Sequence, residues 1–199
     1  MNARLAVLVS GGGTTLQNFL DRIADGSLDA RIEVVISSMS NAYALERARG
    51  AGIDTHVVRW RDYEDDESFS DAISAIIDRY EVDLVLGAGF MRRWVFPPRY
   101  QGRMLNTHGA LLPKFGGGGM WGHHVHEAVI AAGETESGCT VHIADHEYDH
   151  GPILVQKKVP VLADDTAETL AARVQEAERE AYPEAVRIMA QRLGLGSQG

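Results

Sequence analysis

The 199-residue sequence has one cysteine, no long apolar run and fewer basic than acidic residues. The single Cys139 excludes an internal disulfide and fits a reducing compartment. The 19 Lys and Arg residues against 28 Asp and Glu residues give a net charge of -9, which argues against a nucleic-acid partner because such a surface needs a basic patch. No stretch approaches the ~20 apolar residues that span a bilayer, and the segment Met1–Ser10 lacks the pattern of a signal peptide. We therefore expect no membrane partner and a cytoplasmic location.

Short aliphatic segments alternate with amphipathic segments along the first half of the chain. With 45% hydrophobic and 24% charged residues, the composition is that of a globular domain. The pattern predicts strands at Arg4–Val9, Ile32–Ser37, Thr55–Val58 and Leu84–Gly87, and helices over 16–23, 42–51 and 65–79. This alternation is typical of an α/β protein, and it predicts a Rossmann-like, doubly wound, mostly parallel sheet.

The second half of the chain has a different order of strands and helices. Strands are predicted at Met104–His108, Gly138–Ala144 and Ile153–Val161, and helices at Val125–Ala132 and Thr166–Leu193. No helix separates the last two strands, so we expect an antiparallel pair at the C-terminal end of the sheet. Thr166 or Asp165 is the expected N-terminal cap of the last helix. The proline of Tyr182-Pro183 allows a break in this helix, because proline disrupts helix interiors. The terminal GSQG is expected to fray.

A glycine-rich turn, Ser10–Thr15, joins the first strand to the first helix. Glycines let a backbone approach an anion closely, and the free amides of a helix start point toward it. The turn has neither the pattern of an NTPase loop nor that of a dinucleotide-binding loop, because Leu16 occupies the place of the last glycine. Two interpretations stay open: a phosphate cradle at the carboxyl edge of the sheet, or a tight turn with a threonine cap.

Two further segments carry groups suited to catalysis. Residues two apart in a strand point to the same side, so Asn106 and His108 project together, as suits stabilisation of an oxyanion. Asp149 lies in the turn EYDHGP, and a carboxylate near His108 would favour the imidazolium form. Each residue also has a purely structural interpretation, as a cap, a hydrogen-bonded histidine and a turn aspartate. A metal site is the weaker alternative for six histidines, because they lack the spacing of a zinc motif: His123, His124, His126, His142, His146 and His150.

Taken together, five segments resemble the family of glycinamide ribonucleotide formyltransferases, folate-dependent enzymes of purine synthesis. SGGGTTLQ is similar to the family's phosphate loop, and AGFMR to the segment between its substrate and folate sites. NTHGALLPKF resembles the signature N-x-H-P-[SA]-L-L-P, TVHIADHEYDHGPIL the T-V-H…D-x-G-P segment, and RVQEAEREAYP the ending. The resemblance covers about residues 4–183. It implies the formyltransferase fold in a single domain over 1–199, with a nucleotide-binding half at about 1–100 and a folate-binding and catalytic half at about 101–199.

The resemblance also implies a reaction and its residues. The amine of glycinamide ribonucleotide would attack the formyl carbonyl of 10-formyltetrahydrofolate directly, with no metal. The implied catalytic residues are Asn106, His108 and Asp149. The implied substrate-binding residues are Gly12, Gly13, Thr14 and Thr15 for the phosphate and Glu178 for the ribose. The implied folate-binding residues are Met91, Arg92, Arg93, Trp94, Ala144, Asp145 and Tyr148. The expected assembly is a monomer or homodimer with small-molecule substrates.

The sequence departs from the family pattern near the catalytic residues. Gly109 replaces the proline after His108, which loosens the backbone there. His150 replaces a small residue beside Asp149 and is expected to perturb its charge, and Gly116–Gly119 is expected to form a mobile loop.

The sequence leaves three alternative functions open. A formyltetrahydrofolate hydrolase would carry an additional N-terminal domain. A formyltransferase acting on tRNA would carry an additional C-terminal domain and a basic surface. A non-catalytic nucleotide-binding module on the same scaffold is the third.

Overall fold

The computed structural model describes residues 2–195 and contains one seven-stranded sheet of order β3-β2-β1-β4-β5-β6-β7. The tail expected to fray, residues 196–199, lies outside the described residues. The strands are β1 Ala3–Val9, β2 Ala30–Ser37, β3 Asp54–Val57, β4 Leu84–Gly87, β5 Met104–His108, β6 Glu136–Ile143 and β7 Ile153–Pro160. The helices are α1 Thr14–Ala24, α2 Tyr43–Gly50, α3 Asp66–Ile77, α4 His123–Ala131 and α5 Ala167–Arg192, with 3₁₀ turns at Trp60–Asp62 and Pro98–Tyr100. None of the helices within residues 2–195 has the length and apolarity needed to cross a membrane.

The chain divides into two units, of which the first comprises Met1–Leu105 and Ala190–Gly199. In it, β1 pairs in parallel with β2 and β4, and β2 pairs in parallel with β3. The residues of β1 from Leu5 to Val9 are completely buried, so both faces of this strand are covered. These features confirm the doubly wound, Rossmann-like arrangement predicted from the alternation of strands and helices.

The second unit, Asn106–Met189, contains the antiparallel pair of β6 and β7, as predicted. A side chain at Gly138 would place its Cβ 2.0 Å from the carbonyl oxygen of Lys157, so only glycine lets β7 approach β6 this closely. The register shifts between Val141 and His142, which pair with Val155 and Ile153, so the extra residue of this β-bulge is Leu154 in β7.

Helix α5 runs without interruption through Pro183, so a break at Tyr182-Pro183 is not found. The residues around the proline are buried: Ala181 and Tyr182 are 0% exposed, as is Ala185. Packing of this face outweighs the roughly 3 kcal/mol that a proline costs inside a helix. At the other end, the Thr166 hydroxyl accepts a hydrogen bond from the Thr169 amide at 3.3 Å, which makes Thr166 the cap.

Candidate active site

The carboxyl end of β5 carries the first two predicted catalytic residues in the second unit. Asn106 and His108 are two residues apart and therefore share one side of the strand. The Asn106 side chain is half-buried, and within the described residues its amide makes no hydrogen bond. This leaves an uncommitted amide donor beside an imidazole that is only 6% exposed.

His108 and Asp149 come together although 41 positions separate them in the sequence. The His108 Nδ1 lies 3.4 Å from Asp149 Oδ2, and the two side chains are 6% and 9% exposed. On the other side of the ring, Nε2 donates to the Phe115 carbonyl oxygen at 2.7 Å. Because both partners are acceptors only, both contacts are satisfied when each ring nitrogen carries a proton. His108 is therefore held on both sides by groups that accept hydrogen bonds.

The turn that carries Asp149 is held in a fixed geometry. Asp149 has a φ of 56°, in the left-handed region, and Gly151 is required because a Cβ there would lie 1.8 Å from the Ile143 carbonyl oxygen. The Gly117 amide donates to Asp149 Oδ2 at 3.1 Å. The glycine-rich loop and the residue before it thus contact both members of the pair. The Phe115 carbonyl oxygen accepts from His108, and the Gly117 amide donates to Asp149.

The pKa of Asp149 is lowered by its neighbours. Burial acts in the opposite direction and is the largest single influence, but His142, the charge of His108 and the Gly117 amide together outweigh it. In the sequence, His142 was part of the histidine cluster and of the segment that resembles the family's T-V-H pattern, but no role was assigned to it. In the structure it is 1% exposed, with Nε2 3.6 Å from Asp149 Oδ1. It is a site residue that sequence reasoning missed, although its place in the T-V-H pattern is a signal that could have found it.

The expected effect of His150 on Asp149 is not found. The exposed His150 Nδ1 lies 2.9 Å from Asp145 Oδ2, and it is Asp145 that pairs with this ring. The hydrogen bond to Asp145 raises the pKa of His150. His150 therefore forms its contact within its own turn, with Asp145.

The structure has room for a side chain at Gly109, directly after His108. Its φ is not in the left-handed region, and a Cβ there would lie 3.4 Å from His126 Cε1, an ordinary contact. His126 is 8% exposed, and burial, followed by the charges of His123 and His108, lowers its pKa. A neutral imidazole therefore packs over the backbone that follows His108.

The predicted phosphate loop lies in the first unit, between β1 and α1. Gly13 caps α1 with a φ of 73°, so the helix starts on a glycine and not on a threonine cap. A Cβ at Gly13 would lie 2.6 Å from Ala44 Cβ, whereas Gly12 faces open space. Within the described residues, the amides of Gly12 and Gly13 donate to no acceptor. Thr14 is exposed and Thr15 half-buried. Free amides at a helix start are suited to an anion.

Arg47 is a second residue that the sequence did not reveal. Its Nε donates to the Gly12 carbonyl oxygen at 2.9 Å, and its guanidinium lies 4.9 Å from the centre of the Tyr43 ring. This places a positive charge beside the free amides of the loop. In the sequence, Arg47 looks like an ordinary surface charge of α2.

The residues predicted to bind folate divide between the two units. In the first unit, Met91 is 63% exposed and its amide donates to Ser10 Oγ at 2.8 Å. Arg92 lies over the Trp60 ring at 5.3 Å, and Arg93 is exposed. Trp94 is 6% exposed and its indole donates to Ser74 Oγ at 3.2 Å, which leaves only its backbone for the predicted contact.

In the second unit, the remaining predicted ligand-binding residues are accessible. Tyr148 is 60% exposed, and Ala144 and Asp145 are half-buried. Glu178 of α5 is half-buried, and its charge contributes, after burial, to raising the pKa of the Cys139 thiol to about 11. Such a thiol is protonated at neutral pH, which fits the packing role expected for it. Across residues 2–195, the structure contains no group of three or more His, Cys, Asp or Glu side chains placed to hold a metal ion.

Comparison with known proteins gives concordant matches. The profile of the formyl transferase family matches residues 3–186. Phosphoribosylglycinamide formyltransferase of Escherichia coli K12 is 38% identical over 90% of this chain and 83% of its own length. The trifunctional purine biosynthetic protein adenosine-3 of Bos taurus is 40% identical over 99% of this chain, which spans only 19% of that protein. Glycinamide ribonucleotide transformylase 1 of Symbiobacterium toebii has a similar structure, with a TM-score of 0.89, 39% identity and coverage of 96% of this chain and 89% of the other.

Proposed function

The chain belongs to the formyl transferase family, and on that premise we propose that it transfers the formyl group of 10-formyltetrahydrofolate to the amine of glycinamide ribonucleotide. The observation that carries the proposal is the buried pair of His108 and Asp149 beside the uncommitted amide of Asn106. A relative named phosphoribosylglycinamide formyltransferase, matched over most of its length, supports this choice of substrates.

The proposed chemistry is direct acyl transfer. The amine nitrogen attacks the formyl carbon, the carbonyl π electrons move to oxygen, and a tetrahedral oxyanion forms. Asn106 donates its amide N–H to this oxygen, and the imidazolium of His108 donates its Nε2–H. Collapse of the intermediate breaks the bond to N10 of the folate, which takes up a proton as the attacking nitrogen loses one. Removal of one oxyanion donor typically costs about 10²- to 10³-fold in kcat.

The proton on His108 Nε2 has to change its acceptor in this scheme. Before reaction it is held by the Phe115 carbonyl oxygen at 2.7 Å. We propose that the oxyanion replaces this neutral carbonyl as the acceptor. The neutral carbonyl is thereby replaced by an anionic acceptor, whose attraction for the charged donor grows as charge develops on oxygen, so the exchange favours the transition state over the ground state. Asp149 keeps the ring charged and oriented throughout and relays protons through water.

Binding of glycinamide ribonucleotide is assigned to the residues that the sequence singled out. We propose that the phosphate binds the amides of Gly12 and Gly13 at the start of α1, with Thr14 and Thr15 adding hydroxyl donors. The adjacent guanidinium of Arg47 supports an anion at this loop. Glu178 is proposed to accept hydrogen bonds from the ribose hydroxyls.

Binding of the folate is proposed at two segments: Met91 with Arg92, Arg93 and the backbone of Trp94, and Ala144 with Asp145 and Tyr148. The reaction as written uses no metal ion. We propose that residues 1–199 act as one formyltransferase domain, with about 1–100 for the nucleotide and about 101–199 for the folate and the chemistry. A monomer or homodimer in the cytoplasm is proposed, since the single Cys139 fits a reducing compartment.

One assay separates this function from its alternatives. The protein is mixed with 10-formyltetrahydrofolate, with and without glycinamide ribonucleotide, and free tetrahydrofolate is followed. Turnover that requires the amine supports the transferase. Equal turnover without the amine identifies the hydrolase, and no turnover in either mixture contradicts the proposal, as expected for the non-catalytic module or for an enzyme that acts on tRNA.

A further inference from the structure

His142 is a buried imidazole that the proposed chemistry does not use. It lies in β6 and is 1% exposed, and among residues 2–195 neither ring nitrogen has a hydrogen-bond partner. Thr140, two residues earlier on the same side of the strand, is equally buried but donates to the Ala110 carbonyl oxygen at 2.6 Å and accepts from the Leu112 amide at 3.1 Å. This side of β6 therefore faces the segment that follows His108. The Thr140 hydroxyl has two hydrogen-bond partners there, whereas the His142 ring has none among the described residues.

An unsatisfied imidazole is costly in the interior. A buried polar group without a partner destabilises a protein, whereas leucine has a similar volume and no such cost. Such a group in a native protein calls for an explanation, and a role at an active site is one of the recognised explanations. The β-bulge opposite His142, whose extra residue Leu154 lies in β7, is a further sign, because bulges are over-represented next to active sites.

The neighbour that gives His142 a role is Asp149. The Nε2 of His142 lies 3.6 Å from Oδ1, while His108 faces Oδ2 at 3.4 Å. The carboxylate is thus flanked by two imidazoles, one at each oxygen. A separation of 3.6 Å is slightly long for a hydrogen bond, and such contacts at active sites shorten when substrates bind.

We propose that His142 is a positioning residue whose Nε2–H holds Asp149 Oδ1, so that Oδ2 stays ionised and directed at His108. The proposal rests on the proposed formyl transfer. It assigns the positioning of Asp149 to a residue outside the predicted catalytic group. His142 touches neither reacting atom and acts only through Asp149.

The charged groups around this cluster determine how it responds to pH. Asp149 is faced by His108 from β5, by His142 from β6 and by the Gly117 amide from the glycine-rich loop. His142 is faced by Asp149 and by the charge of Asp145, and His108 is also near His126 of α4. His142 is one of the groups that lower the pKa of Asp149, so its removal should raise that pKa. The acid limb of the rate profile should then move to higher pH.

Two substitutions test the proposal in the whole protein. His142→Leu removes both nitrogens at similar volume, and His142→Gln keeps an N–H donor near the position of Nε2. For His142→Leu we expect kcat to fall about tenfold, KM for both substrates to change less than twofold, and the acid limb to move to higher pH. His142→Gln should recover most of kcat and the wild-type limb. Thermal unfolding of His142→Leu should occur at the wild-type temperature or above, because an unsatisfied group is lost.

The outcomes distinguish positioning from packing. A leucine variant with wild-type kcat and acid limb overturns the proposal, and so does equal loss in both variants together with a lower Tm. A readout independent of turnover is the carboxyl ¹³C resonance of Asp149, whose titration should move to higher pH in His142→Leu only. If the wild type transfers no formyl group, the proposed function fails, while this titration still tests whether His142 holds Asp149.

Discussion

Replacement of Asp149 by asparagine tests whether the carboxylate supports His108 by its charge. Two unit charges separated by the observed 3.4 Å attract each other by about 5 kcal/mol at an effective dielectric constant of about 20. The amide is less costly to bury than the carboxylate, which offsets about half of this energy. The remaining 2–3 kcal/mol, at about 1.36 kcal/mol per factor of ten, predicts a loss of about 30- to 150-fold in kcat with KM nearly unchanged.

Steady-state release of tetrahydrofolate at saturating substrates measures this loss. Asp165→Asn is the matched control, since the Asp165 carboxylate also forms a close pair, with Arg173 at 2.6 Å, but lies outside the proposed site. The control should keep a rate close to wild type. A rate for Asp149→Asn within threefold of wild type, or a change in KM alone, would refute a charge-supported His108.

The same carboxylate predicts a dependence of stability on pH. The folded pKa of Asp149 is lowered, so its contribution is present above the unfolded pKa of about 3.9 and is lost as the pH falls through the lower folded value. Urea unfolding from pH 6 down to pH 3 should show a steeper loss of stability for wild type than for Asp149→Asn. Parallel curves would mean that the folded and unfolded pKa values are alike.

Three further predictions concern backbone and packing. Gly13→Ala should destabilise the protein by about 1–3 kcal/mol in urea unfolding, because its φ is 73° and the new Cβ meets Ala44, whereas Gly12→Ala should be close to neutral; similar values for both would contradict the geometry. Gly109→Ala should stabilise by about 0.4–1 kcal/mol, because the methyl group fits against His126, and a loss of stability would show that it does not. Cys139 should resist a thiol reagent at pH 8 until the protein unfolds, because its pKa is raised to about 11, and rapid labelling of the native protein would refute its burial.

The order of strands and helices was predictable from the sequence because the spacing of apolar residues along the chain determines it locally. The aliphatic runs of β1 and β4 and the amphipathic spacing of α1 each depend on neighbours a few residues away. At Pro183 the sequence left a break in the last helix open, and the outcome there depends on tertiary packing. Local propensity favours a break there, but burial of Tyr182 and its neighbours in tertiary packing keeps α5 continuous.

The candidate site was predictable only where motifs marked it. Asn106, His108 and Asp149 stand in recognisable segments, so their order could be read before any distance was known. The approach of His142 to Asp149, and of Arg47 to Gly12, depends on contacts between elements far apart in the sequence. The T-V-H pattern marks His142 but not its partner, and no local pattern distinguishes Arg47 from other surface arginines, so only the folded chain reveals these contacts.

The proposed reaction is tested most directly by following the formyl carbon itself. The protein is incubated with 10-formyltetrahydrofolate labelled with ¹³C at the formyl group and with glycinamide ribonucleotide, and the label is observed by NMR. We predict that the label appears on the amide of the formylated ribonucleotide at a rate that His108→Ala lowers at least a hundredfold. Label that accumulates as free formate, or transfer by His108→Ala at the wild-type rate, would contradict direct transfer assisted by His108.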